Sequence, residues 1–140
     1  MTSTRVPGAG TAAFRLRKHA DYQRVYQASR KQFARQMTYF FTLRGGAACP
    51  RVGLTVGKVM GKAVDRNRIK RRMREAIRNN LAILVTPVDV VLHPRKSVID
   101  LDFAILNREV AGVFQSIQRA AEKQAIHPST SGNLQPATDN

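Results

Sequence analysis

Residues 51–94 read RVGLTVGKVMGKAVDRNRIKRRMREAIRNNLAILVTPVDVVLHP, and this stretch decides the fold. It opens with Val52, Leu54 and Val56 at every second position, the period of a strand with one apolar face. From Ala63 the period changes: Ile69, Met73, Ala76 and Ile77 fall within about 100° of a helical wheel, an apolar stripe wide enough to lie on a sheet. The chain then returns to a short apolar run, Val88 to Leu92, closed by Pro94, which has no N–H to give a ladder. Strand, helix, strand is a crossover unit, so the spacing predicts two parallel strands in one sheet with helices covering a face.

Upstream, MTYFFTL (37–43) alternates Met37, Tyr39, Phe41 and Leu43 against Thr38, Phe40 and Thr42, again a strand period. RGGAACP (44–50) supplies turn residues, so this strand and the Val52 strand are expected to form an adjacent antiparallel pair. In KHADYQRVYQAS (18–29), Tyr22, Val25 and Tyr26 share one face of a short helix. Downstream, Phe103, Leu106, Val110, Phe114, Ile117 and Ala121 recur at helical spacing, after a cap at Asp100 or Asp102. The predicted order is αββαβα, a single α+β domain with a small mixed sheet and a crossover helix. Gly and Thr between the apolar residues of the second strand leave the other sheet face uncrowded, with room for a groove. Residues 1–13 and 127–140 hold few apolar side chains and read as disordered tails around a folded region at 14–126. A chain of 140 residues suits that one domain.

Lys and Arg outnumber Asp and Glu by 24 to 9, and a net charge of +15 points to a polyanionic partner, nucleic acid first. Cys49 is alone and His19, His93 and His127 are scattered, so no metal held by the protein is expected. Nowhere does the chain approach the roughly 20 apolar residues of a membrane span; a soluble, cytoplasmic protein is expected, with no obligate protein partner evident. Asp89, Asp100 and Asp102 flank the third strand and last helix with no basic partner at a telling spacing, so no protein active site is read and no catalytic residue is assigned.

The charge concentrates on the crossover helix. Six of the nine positions from Arg66 to Arg74 are Arg or Lys, and Asp65 and Glu75 are too few to neutralise them through i,i+4 pairs. Packing them together costs repulsion that an external anion relieves. Arginine predominates, and its planar fork binds phosphate oxygens in pairs and stacks on bases. With about five phosphate contacts, the salt slope is near −4 and tripling the salt lowers affinity about 100-fold. A solvated helix face carries both signs of charge. A membrane-surface helix needs bulky exposed apolar residues beyond the stripe the core uses. The Asn67 amide is placed to bond a base or sugar edge. Aromatics gather on the first helix and first strand (Tyr22, Tyr26, Phe40, Phe41), and if the Tyr face lies beside the strand they form a stacking cleft for unpaired nucleotides.

RVGLTVGK followed by GKAVDRNRIKRRMREAIR closely resembles the signature of the bacterial ribonuclease P protein component, whose hallmark is Arg66, Asn67, Arg68, then Ile69, Lys70, Arg71 and later Arg74 and Glu75. The resemblance extends more loosely over FRLRKHADYQRVY, the FTL strand end, VDVVLHPRKS and the last helix. It implies a ribosomal protein S5 domain 2-like fold with a left-handed crossover between the second and third strands, against the general preference. It also implies an endoribonuclease in which a large RNA, with magnesium ions, removes the 5′ leader of precursor tRNA while the protein assists. By motif, contact with the catalytic RNA falls to Arg66, Asn67, Arg68, Lys70, Arg71 and Arg74, with Lys58 and Lys62 beside them. Tyr22, Tyr26 and Phe41 are carried over to a cleft for the leader.

Overall fold

The computed structural model describes residues 14–47 and 49–126; both tails expected to be disordered lie outside the described residues. The elements are α1 (His19–Ala28), β1 (Gln32–Phe33), β2 (Met37–Leu43), β3 (Arg51–Leu54), α2 (Ala63–Asn80), β4 (Val88–Pro94) and α3 (Phe103–Ile126). Single 3₁₀ turns at Lys58–Met60, Leu81–Ile83 and Lys96–Ile99 bracket α2 and follow β4. All six elements expected from the sequence form in the expected order. The seventh, β1, is two residues long and too short to carry any period.

The sheet order is β1-β2-β4-β3. β3 runs parallel to β4, from Arg51 opposite Asp89 to Leu54 opposite Leu92, so α2 is the expected crossover. The expected β2–β3 pairing does not form: β4 lies between them, antiparallel to β2 from Met37↔Pro94 to Leu43↔Val88. The reason is burial. Val88, Val90, Val91 and Leu92 are all fully buried, on alternating faces, and a strand buried on both sides takes the centre, where both rows of backbone groups are paired. Residues 44–50 are long enough to step across it, whereas an adjacent hairpin favours a tight two-residue turn. At the far edge, Val52 N–H donates to Phe14 O at 2.7 Å and Leu16 N–H to Val52 O at 3.1 Å, so the N-terminal segment lies along β3.

Alternation sorts the two faces. Met37, Tyr39, Val52, Val88, Val90 and Leu92 meet Ile69, Met73 and Ala76 of α2 and Leu106, Val110, Phe114 and Ile117 of α3 in the main core. On the other face, Leu16, Val25 and Val91 form a smaller cluster with Tyr22, Tyr26 and Phe40. The α2 stripe is therefore the one its sequence period gave. Asp102 is the cap of α3: its Oδ1 accepts from Ala104 N–H at 3.0 Å. Buried Asn80 locks α2 to α3, its Nδ2 donating to Ala76 O and to both oxygens of Asn107.

Candidate nucleic-acid interface

Because the apolar stripe of α2 is spent on the core, its remaining circumference is cationic. Lys58, Lys62, Asn67, Arg68 and Arg71 are exposed, while Arg66, Lys70 and Arg74 are half-buried. The last three stand at i, i+4, i+8 and form one row flanking the stripe. Among the described residues, Arg78 is the single α2 cation in an ion pair, with Glu75. Two arginines at the start of the helix are aimed by backbone: Arg66 Nε donates to Gly61 O at 3.1 Å, and Arg68 Nε to Ile99 O at 3.2 Å. Gly61, at φ 123°, takes a conformation that side chains disfavour, and it ends the turn that precedes α2.

Arg72 is different. Its Nε donates to Val98 O at 2.9 Å, a second nitrogen reaches Leu101 O, and the guanidinium lies 5.9 Å from the centre of the Phe103 ring. It is a strut between α2 and the turn after β4. The wheel alone shows Arg72 as one more cation.

On the α1 face, Tyr22 lies flat against β3. Its hydroxyl donates to Leu16 O and accepts from Leu54 N–H, both at 3.1 Å. A Cβ on Gly53 would stand 2.5 Å from that hydroxyl, so the glycine expected to open a groove instead seats the Tyr22 ring. Beyond it, Tyr26 and Phe40 meet edge to face at 4.9 Å, and His93 lies 5.8 Å from Tyr26 and 5.5 Å from Phe40. The Tyr26 hydroxyl and His93 Nε2 are 2.9 Å apart. Burial, then the nearby Lys31 charge, pushes the His93 imidazole below its ordinary value, which favours the neutral ring. These rings are half-buried.

Phe41, expected in this cleft, is a correction. It packs against the main core on the opposite sheet face and borders a polar hollow at the C-terminal end of α1. Phe40 takes the place beside Tyr26. The β2 alternation carried that answer, since Phe41 shares parity with buried Met37 and Tyr39.

Asp89, for which the sequence shows no basic partner at a telling spacing, has several distant in sequence. It is fully buried, and Arg51 grips both its oxygens at 2.9 Å. Arg24 of α1 also reaches it, and Arg44 Nε stands 3.4 Å away. Asp21 adds a link to Arg51 at 3.2 Å, so this network fastens α1 to the sheet and fixes where Tyr22 and Tyr26 stand. Arg51 and Arg24 lie 38 and 65 residues from Asp89 in sequence, and no local spacing reveals these pairs.

A small mixed sheet carrying on one face a helix whose arginines, Arg78 apart, have no carboxylate partner among the described residues, and on the other an aromatic groove, defines a small, strongly basic α+β protein. The profile of the family "Ribonuclease P" matches residues 11–118. The ribonuclease P protein component of Latilactobacillus sakei is 33% identical over 103 residues, covering 74% of this chain and 86% of that protein. That of Streptococcus pneumoniae is 34% identical over 102 residues, covering 73% and 82%. Among solved structures, a Staphylococcus aureus RNase P protein mutant with defective mRNA degradation activity superposes with a TM-score of 0.69 at 25% identity, covering 79% of this chain and 92% of that one. The Thermotoga maritima RNase P protein gives 0.65 at 25% identity, covering 73% and 96%. The chain belongs to the bacterial ribonuclease P protein family.

Proposed function

We propose that the chain, as a ribonuclease P protein component, binds the catalytic RNA through α2 and the 5′ leader of precursor tRNA through the α1 groove, and so promotes release of mature tRNA 5′ ends. The observation that carries this reading is the row Arg66, Lys70 and Arg74 with Lys58, Lys62, Arg68 and Arg71 around it, all without a carboxylate partner among the described residues. Gathered like charge is unfavourable until an anion neutralises it, and RNA phosphates supply that anion. Tyr26, Phe40 and His93 offer ring faces to unpaired bases, and stacking tolerates any sequence, as a leader-binding groove requires. Bond cleavage in this reading belongs to the RNA and its magnesium ions, while the chain's residues bind and orient.

The test is cleavage of a 5′-extended tRNA precursor by a bacterial ribonuclease P RNA at low magnesium, with and without the chain, beside a protein-only control. Stimulation is expected only when both are present. Cleavage by the protein alone would refute the reading.

A further inference from the structure

A second feature lies where the N-terminal segment meets the C-terminal half of α2. Phe14, Val52, Ile77 and Leu81 line a pocket of about 130 Å³ that is mostly apolar and partly enclosed. Arg15, Arg74 and Arg78 complete its lining. Glu75 pairs with Arg78, but Arg15 and Arg74 have no carboxylate within ion-pair distance among the described residues. Arg74 is half-buried, and burial, then the charge of Arg15, pull its pKa down; Tyr22 opposes this and Arg17 adds to it. An apolar slot with a doubly cationic, unneutralised rim calls for a ligand that is flat and apolar at one end and anionic at the other.

We infer that this pocket takes one unpaired nucleotide of the RNA partner, its base between Phe14 and Ile77 and its phosphate on Arg15 and Arg74. The inference rests on the RNA-binding reading above and adds to it a base-insertion site distinct from the Tyr26–Phe40 groove. The chain's own residues 1–13, MTSTRVPGAGTAA, are a poor occupant: they contain an arginine and no acidic side chain, and so cannot neutralise the rim. A plain phosphate contact would leave the four apolar walls facing water, whereas a base covers them.

Base insertion and phosphate contact separate in a salt series. Affinity of the full chain for a bacterial ribonuclease P RNA is measured across salt concentrations. Phe14→Ala is expected to weaken binding roughly 10-fold at an unchanged salt slope, since stacking is lost and no phosphate contact is. Arg74→Ala is expected to weaken binding and to reduce the slope by about 1. Ile77→Phe, which fills the pocket and keeps every charge, is expected to reproduce the Phe14→Ala loss, so the result does not hang on one variant's folding. Titration with adenosine monophosphate, followed by amide shifts, is expected to move Phe14, Ile77 and Leu81, and inorganic phosphate to move them less. The inference is overturned if Phe14→Ala and Ile77→Phe both bind within twofold of the unaltered chain, if the nucleotide shifts fall instead at Tyr26 and His93, or if residues 1–13 prove to fill the pocket in the free chain. If the unaltered chain bound this RNA without salt dependence, the RNA-binding reading itself would fall, a result distinguishable from all of these.

Discussion

A single aspartate holds the α1 face together. Asp89 has no exposed surface, and Arg24, Arg44 and Arg51 all converge on it. Asp89→Asn leaves Arg44 without a counter-charge among the described residues and Arg24 and Arg51 with Asp21 alone, and a broken buried pair costs about 3–5 kcal/mol. Their side chains keep 21–54% exposure and regain water, so the expected loss is nearer 2–3 kcal/mol, read as a lower urea midpoint. Burial lowers the folded pKa of His93 beneath the unfolded value of about 6.5, so its contribution is fully present above that pH and is lost as pH falls through the folded pKa. Stability is therefore expected to fall as the pH drops below about 6.5, and His93→Gln is expected to flatten that fall; an unchanged slope would contradict the assignment. Gly53→Ala forces the Tyr22 ring off β3, where the new Cβ would lie 2.7 Å from Cζ, at a cost of about 1–3 kcal/mol in the same urea experiment.

Among the elements, α2 divides its labour by face, and the two faces are expected to answer different measurements. Met73→Ala removes a fully buried side chain and is expected to cost about 2–5 kcal/mol of stability, with no change in salt slope. Arg71→Ala is expected to leave stability within about 0.5 kcal/mol and to lower the salt slope for RNA by about 1. This division was legible in the sequence because a helix writes its environment at a fixed period: of the expected stripe Ile69, Met73 and Ala76 are buried and Ile77 is half-buried, with Asn80 buried beside them. Strand pairing was not legible to the same degree. A strand's period says which residues share a face but not which strand lies beside it, so β2 and β3 were joined across a gap that β4 fills. Parity did separate Phe40 from Phe41. The Asp89 network and the Phe14–Arg74 pocket depend on residues brought together by tertiary folding, and local spacing carries no trace of them.

Over the whole molecule, a net charge of +15 on 140 residues is arranged rather than spread. Near α1, Arg24, Arg44 and Arg51 serve Asp89, with Asp21 beside them, while Arg15, Arg17, Lys18, Arg30 and Lys31 make no ion pair among the described residues. Among the described residues, the cations of α2 apart from Arg78 have no carboxylate partner, and Arg72 alone is spent as a strut. The sheet lies between this helix and the aromatic groove. One chain therefore presents two chemically different surfaces, one suited to phosphates and one to bases, and the central claim is that they do separate work. The measurement that tests it most directly compares Arg66→Ala/Arg68→Ala with Tyr26→Ala/Phe40→Ala, each assayed for binding to the ribonuclease P RNA and, in the assembled enzyme, for affinity toward precursors with and without a 5′ leader. The arginine pair is expected to weaken assembly about 10-fold or more and to keep the preference for a leader. The aromatic pair is expected to assemble normally and to lose that preference. Equal losses by both pairs in both assays would contradict the division into two surfaces.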